Sequence, residues 1–273
     1  MTELPTEIGL IAGSRSLPLE FARLGRARGL RRIVAVGVPG ETDPALAALV
    51  DEMHWLRVGQ LGKMIRTFAA RGLRYCVMLG QIAPRNLFEL RPDLRTLRVL
   101  FRLRERNAHT LFGAVAEELQ RDGLELISAL PWLEPLLPEP GFYTGPGLTA
   151  AQREDLAFGR RIALEVARLE IGQTVVVKRG TVLAVEGFEG TDACLARGGA
   201  LAGPRGGAVA VKLAKPNHDL RFDIPTVGLQ TVETCATHGV AVLGLEARRA
   251  LLLDREQLVA CARRRRVTVC TLD

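Results

Sequence analysis

The residues best suited to chemistry lie close together in the last quarter of the chain, in Val211–Thr231, VKLAKPNHDLRFDIPTVGLQT. Lys212 and Lys215 close an apolar run. Asp219, Arg221 and Asp223 follow at alternate positions, and Pro225, Thr226 and Gly228 end the stretch before a helix-like segment opening at Thr231. Side chains two residues apart share one face of an extended strand. An extended Asp219–Asp223 therefore puts both carboxylates and the guanidinium on one side, with Leu220, Phe222 and Ile224 on the other. Two carboxylates so placed can hold a divalent cation, and the lysines can take up phosphate charge. A half-buried strand with a solvated charged face shows the same pattern, and periodicity alone favours that plainer reading.

A second acidic set, Glu186, Glu189 and Asp192, lies in VEGFEGTD just after a strand-like run. Acidic groups at strand ends with lysines nearby suit a hard cation and a phosphate-bearing substrate. Thr191-Asp192 equally suits a helix start, where a carboxylate favours the dipole. Other motifs fail. The first turn, GLIAGSRS, lacks the G-x-G-x-x-G of dinucleotide binding, and Gly59–Lys63 lacks P-loop spacing. His54, His109, His218 and His238 have no zinc-ligand spacing. Ser14, Ser16 and Ser128 are the three serines, and none sits in G-x-S-x-G.

Net charge is +7, with a pI of about 9.6. That favours an anionic partner: a phosphorylated small molecule, an anionic membrane surface or nucleic acid. Aromatics at 5% give little for base stacking, and no recognition motif is present, so nucleic acid is not expected. Cys76, Cys194, Cys235, Cys261 and Cys270 form no C-x-x-C pair and read as reduced core thiols of a cytoplasmic protein. The opening MTELPTEIGLIAG has no basic n-region, and no apolar run reaches the length of a membrane span. The expectation is a soluble protein, or one lying on a membrane.

Positioning falls to two sets of elements. Glu7–Ala12, Arg32–Val38, Met53–Val58 and Tyr75–Gly80 read as strands, alternating with helices over Leu17–Gly29, after Asp43-Pro44, and over Leu61–Ala70. This alternation predicts right-handed crossovers and a mostly parallel, Rossmann-like sheet, with loops such as Gly13–Pro18 around a crevice at the strand ends. Leu94–Arg106 predicts a basic amphipathic helix, with Arg95, Arg98, Arg102 and Arg106 on one side and Leu97, Leu100, Phe101 and Leu103 on the other. It suits a solvated surface and a membrane face equally well. Five prolines between Ala129 and Thr149 argue against helix and central strand. They separate a Rossmann-like domain over 1–130, through a linker over 131–148, from a smaller mixed α/β domain over 149–273. There Thr149 and Gln152 form a capping box, Thr174–Val177 and Thr181–Glu186 a hairpin about Arg179-Gly180, and Asp254 with Gln257 caps a late helix.

The segments IGLIAGSRSLP, LAVEGFEGTDACL, VKLAKPNHDLRFDIPTVGLQT and LLLDREQLVACA, in this order, resemble the LpxI-type UDP-2,3-diacylglucosamine pyrophosphatases over essentially the whole chain. The resemblance implies hydrolysis of UDP-2,3-diacylglucosamine to UMP and 2,3-diacylglucosamine 1-phosphate (lipid X), in lipid A synthesis. It further implies Mg²⁺ or Mn²⁺, a homodimer, and a site between two domains. The expected location is the cytoplasm, on or near the inner face of the inner membrane. The family's essential aspartate, in D-x-P-T-I/V-G, corresponds to Asp223. On this reading the catalytic residues are Asp223, Asp219 and Arg221. Gly13, Ser14, Arg15, Lys212, Lys215, Thr191 and Thr226 bind substrate, and Asp223, Glu189 and Asp192 hold metal. Two departures stand out: Ser14-Arg15-Ser16 where the family is richer in glycine, and Asn107-Ala108-His109 where it has an acidic pair. They keep open a catalytically silent UDP-lipid-binding or regulatory protein of the same fold.

Overall fold

The computed structural model describes residues 4–81, 92–103, 108–214, 219–221 and 224–272. The chain forms two compact units, 1–134 with 219–223, and 135–218 with 224–273. The fold is α/β in both.

In the first unit, five short strands make one parallel sheet in the order β3-β2-β1-β4-β5. They are β1 Glu7–Ala12, β2 Arg32–Gly37, β3 Glu52–Trp55, β4 Tyr75–Leu79 and β5 Glu125–Leu126. The order reverses at β1, so the loops after β1 and β4 flank a topological switch point, where ligands of such sheets bind. Apolar runs without alternation mark β1, β2 and β4 as strands covered on both faces. Val34, Ile65, Phe68, Cys76 and Leu119 fill one side of this sheet.

The helix Leu94–Arg102 corrects the predicted sidedness. Val99 and Thr96 are its buried residues, and Phe101 is 83% exposed rather than inward. Arg95 does not face solvent with the other arginines. Its guanidinium is held by Glu118 and Asp122 at 2.6 Å each. Arg106 lies outside the described residues.

The second unit carries a six-stranded mixed sheet, β6-β13-β11-β9-β7-β8. Its strands are β6 Tyr143–Thr144, β7 Thr174–Lys178, β8 Thr181–Val185, β9 Ala208–Lys212, β11 Val240–Glu246 and β13 Thr268–Leu272. β9, β11 and β13 are parallel. A parallel pair, β10 Thr226–Val227 and β12 Leu251–Leu252, lies apart from it. The proline-rich stretch is more structured than its composition suggests. Pro131 sits in the first turn of a short helix, Leu130–Leu133, where its missing N–H costs nothing, and β6 is an edge strand. The capping box forms as read, with both Thr149 and Gln152 bonds present.

The β7–β8 turn is a two-residue loop with Arg179 at φ 49° and Gly180 at φ 70°, the left-handed pair of a tight hairpin. Buried Asp155 secures it, accepting from Arg179 N at 2.9 Å and Gly180 N at 2.8 Å. Asp155→Ala strands two backbone donors, and the expected cost is about 1–3 kcal/mol. Thermal melting checks this, with Asp155→Asn, which keeps one acceptor, falling between.

Two further expectations are corrected. Asp254 precedes the helix Arg255–Arg265, but at φ 49°, ψ 47° its carboxylate makes no cap bond. Residues 219–221 are not a strand: Leu220 and Arg221 lie in a turn. Asp219 accepts from Arg221 N at 3.1 Å and Arg221 Nε at 2.8 Å, and this local bonding competes with extension.

Candidate active site

In the second unit, Lys212 ends β9 at the carboxyl end of the parallel strands. The chain reaches β9 through the helix Thr191–Leu201 and β11 through the helix Leu229–His238. Each helix returns antiparallel to the strand it precedes, so both begin at this end of the sheet. Two bonds fix the arrangement: Lys212 Nζ donates to Thr191 Oγ1 at 2.6 Å, and Thr231 Oγ1 donates to Asp192 Oδ1 at 3.2 Å. The residues preceding the helices are Gly190 and Gly228, and no side chain caps either start. The first N–H groups of a helix lack internal partners and carry the positive end of the dipole. Such a start receives anions.

The interior of this end is polar yet nearly dry. Lys212 is 6% exposed, Glu186 9%, Thr231 5% and Thr174 fully buried. Thr191 Oγ1 donates a hydrogen bond to Glu186 Oε1 at 3.1 Å while accepting from Lys212. Thr174, opposite Lys212 across β7 and β9, brings its hydroxyl to 3.5 Å from that of Thr191. The result is a chain from ammonium through hydroxyl to carboxylate. Glu186 Oε2 is buried and has no hydrogen-bond partner among the described residues. A buried carboxylate oxygen is expected to be bonded, and a donor from outside the described residues, water included, would complete this one.

Of the residues assigned to metal, Glu189 accepts from Arg197 at 2.5 Å and from Gly187 N at 3.0 Å. Arg197 is the main cause that holds its carboxyl below the usual range. Asp192 is turned toward Thr231. Among the described residues no three His, Cys, Asp or Glu side chains come together to hold an ion. Glu189 and Asp192 each bond to the protein, and the third residue of that set is Asp223. Asp223 and Lys215 lie outside the described residues. Thr226 opens β10, half-buried, in register with Leu251.

In the first unit, the loop after β1 is stitched to the loop after β4. Ser14 N and Ser14 Oγ both donate to Gln81 O, at 2.7 and 2.9 Å. The hydroxyl proton is thus spent on the scaffold, and Ser14 can offer a phosphate no donor without breaking it. A Cβ on Gly13 would lie 2.5 Å from Gln81 O, so the close approach of the loops requires glycine there. Arg15 is exposed at φ 70°, a left-handed conformation uncommon for its type. Asp219 and Arg221 also pack in this unit. Arg221 grips Asp219 at 2.5–3.1 Å, and Ser128 Oγ donates to Leu220 O at 3.0 Å. Arg221 is thereby neutralised locally, its pKa raised above the ordinary value chiefly by Asp219.

The structure thus gathers Lys212, Thr191 and Asp192 in one unit, and Asp219 with Arg221, and Gly13 with Ser14, in the other. Sequence reading missed Thr174 and Thr231 and left Glu186 unassigned. Glycine before each helix was the available signal. The cysteines are all buried. Burial pushes Cys76, Cys194 and Cys235 up to about 12, so they are not nucleophiles. No helix among the described residues is long and apolar enough to cross a membrane.

Comparison with known proteins agrees with this layout. Residues 7–136 match the family model of the LpxI N-terminal domain and residues 139–270 that of the LpxI C-terminal domain. A protein of Caulobacter vibrioides named UDP-2,3-diacylglucosamine pyrophosphatase LpxI is 32% identical over 265 residues, covering 94% of each chain. The chain belongs to the LpxI family. The junction of the two LpxI domain matches falls within a few residues of the division between the compact units. Among solved structures, glycinamide-RNase-transformylase T from Mycobacterium tuberculosis aligns at TM-score 0.24 and 13% identity, over 66% of this chain and 44% of that one. An ADP complex of the N5-carboxyaminoimidazole ribonucleotide synthetase purK aligns at 0.28 and 14%, over 70% and 41%. The chain spans less than half the length of either, and at these scores neither informs the site.

Proposed function

We propose that the chain hydrolyses the pyrophosphate of UDP-2,3-diacylglucosamine, a UDP-linked diacylated glucosamine lipid, to UMP and 2,3-diacylglucosamine 1-phosphate (lipid X), in lipid A biosynthesis. The observation that carries the reading is the buried Lys212–Thr191–Glu186 chain at two uncapped helix starts, in a member of the LpxI family. In the reaction, a water oxygen bonds to one phosphorus, the bond from that phosphorus to the bridging oxygen breaks, and the bridging oxygen leaves on the other phosphate. Negative charge grows on the phosphate oxygens. Lys212, itself nearly dry, and the N–H groups following Gly190 and Gly228 are fixed donors that need no rearrangement as that charge develops. Asp223 is the candidate to take the water's proton. Arg15, exposed in the loop after β1, stays a proposed substrate-binding residue of the first unit.

Dependence on Mg²⁺ or Mn²⁺ belongs to the same proposal, resting on Asp223 and the family resemblance. A divalent ion supplies charge stabilisation and a more acidic water. Hydrolysis is expected to need one of these ions and to stop in EDTA, resuming on readdition; full turnover in excess chelator would remove the metal from the reading. Following UMP release in the same assay tests the activity itself. Substrate that binds without release would favour the silent UDP-lipid-binding protein, the alternative raised by Asn107-Ala108-His109. The homodimer and the location at the inner membrane's cytoplasmic face are parts of the proposal, the first checked by light scattering.

A further inference from the structure

The helix Leu94–Arg102, LRTLRVLFR, contains no acidic residue. It is pinned to its unit along one side. Asp93 caps it at Thr96 N, 2.9 Å, and also accepts from Gly62 N at 2.7 Å, at the start of the helix Leu61–Ala69. Arg95 is fastened to Glu118 and Asp122, and Val99 and Thr96 are buried. At about 100° per residue, the positions facing away from Thr96, Val99 and Leu103 run in the order Leu97, Phe101, Leu94, Arg98, Arg102 around an arc of about 140°. Leu94 and Phe101 are each 83% exposed, and Arg98 and Arg102 are exposed beside them. A water-facing helix presents polar residues on this arc; here a leucine and a phenylalanine on it are each left largely in water.

We propose that this face docks on the surface of an anionic phospholipid bilayer. Large apolar side chains flanked by guanidiniums are the composition of a helix that lies in the lipid interface, with the rings and branched chains entering and the cations on the phosphates. Leu94 and Phe101 are seven residues apart, about 10 Å along the axis, so both reach one plane when the axis lies along it. The charge complementarity extends to the whole chain, at +7. The fastening of Arg95 and Asp93 holds the face outward without reorganisation. Docking does not depend on the pyrophosphatase reading, and its test involves no turnover.

The test is co-sedimentation of the full chain with phosphatidylglycerol-containing vesicles and with phosphatidylcholine vesicles, at low and high salt. Binding to the anionic vesicles is expected, weakened by salt. Leu94→Ser with Phe101→Ser should lower it at least about tenfold with an unchanged melting temperature, since both side chains are already in water. Arg98→Gln with Arg102→Gln should lower it at low salt, by roughly fivefold per arginine. No binding of the unaltered chain to anionic vesicles overturns the proposal. So does binding that the Leu94/Phe101 pair leaves untouched, or a concentration-dependent self-association that this pair abolishes while vesicles are ignored.

Discussion

Lys212→Met is expected to lower kcat by about 10²–10³-fold, the usual loss when one fixed donor to a developing oxyanion is removed, while the melting temperature falls little or rises. The argument starts from burial. Lys212 is 6% exposed, and among the described residues its ammonium makes one hydrogen bond, to Thr191. Taking an ammonium out of water costs several kcal/mol even after relaxation. An apolar side chain of similar length would fill the end of β9 without that cost, so packing does not explain a lysine. A charge kept in a dry place at open helix starts is explained by an anion that arrives there. Methionine preserves the volume and removes the charge. It also leaves Glu186, linked through Thr191, with less compensation, and some stability is lost on that account. Lys212→Met with Glu186→Gln removes both charges. The two substitutions should therefore be non-additive in stability, as expected for members of one network, while kcat does not recover in the double variant. A Lys212→Met protein with unaltered kcat and a raised melting temperature would make the lysine an accident of the core.

What the sequence made legible, and what it concealed, follows from the range of the interactions involved. Local signals read well. The short apolar runs of β1, β2 and β4, the Thr149–Gln152 capping box and the Arg179-Gly180 hairpin each depend on residues within a few positions of one another, and each formed. The alternation of strand and helix then left few topologies open. Failures came where two local rules competed. Asp219, Arg221 and their neighbours have the period of a strand, but the aspartate bonds its own downstream backbone and guanidinium, and a turn results. Asp254 has the type of a helix cap and a left-handed backbone that prevents it from acting as one. In the helix Leu94–Arg102, periodicity separated arginine from leucine, but Glu118 and Asp122 lie more than twenty residues away, and they draw Arg95 inward. The polar cluster was the least legible part. Thr174 meets Lys212 only because β9 is inserted between β7 and β11, a fact of sheet order that no local pattern carries. Lys212 and Thr191 were named from their surroundings in the sequence, and their bond to each other, 21 residues apart, is what the fold adds.

Asp223→Ala is expected to cost about 10²–10⁴-fold in kcat, the range for loss of a general base, with the fold intact. Asp223 itself lies outside the described residues, but its flanks are defined. Before it, Arg221 is committed to Asp219 and Leu220 O to Ser128, which spends two of the three alternating charges on each other. After it, Pro225 O accepts from Leu251 N at 2.8 Å, and Thr226 begins β10, which leads through Gly228 into one of the uncapped helices. The pairing of Arg221 with Asp219 leaves Asp223 as the charge of the trio that the family resemblance assigns to the chemistry. The same residue as a mere surface charge would change stability and rate by almost nothing, so the outcomes are far apart. Binding should move oppositely to turnover. Removing a negative charge from the neighbourhood of a pyrophosphate relieves repulsion in the ground state, and the inactive variant is expected to retain its lipid through purification. Mass spectrometry of the variant and the unaltered chain, alongside kcat and thermal melting, reads all three quantities. The expected pattern is a nearly unchanged melting temperature, kcat reduced at least about a hundredfold, and uncleaved UDP-lipid carried by the variant. A variant that keeps most of its turnover would remove Asp223 from the chemistry and leave the site to the Lys212–Thr191–Glu186 chain alone.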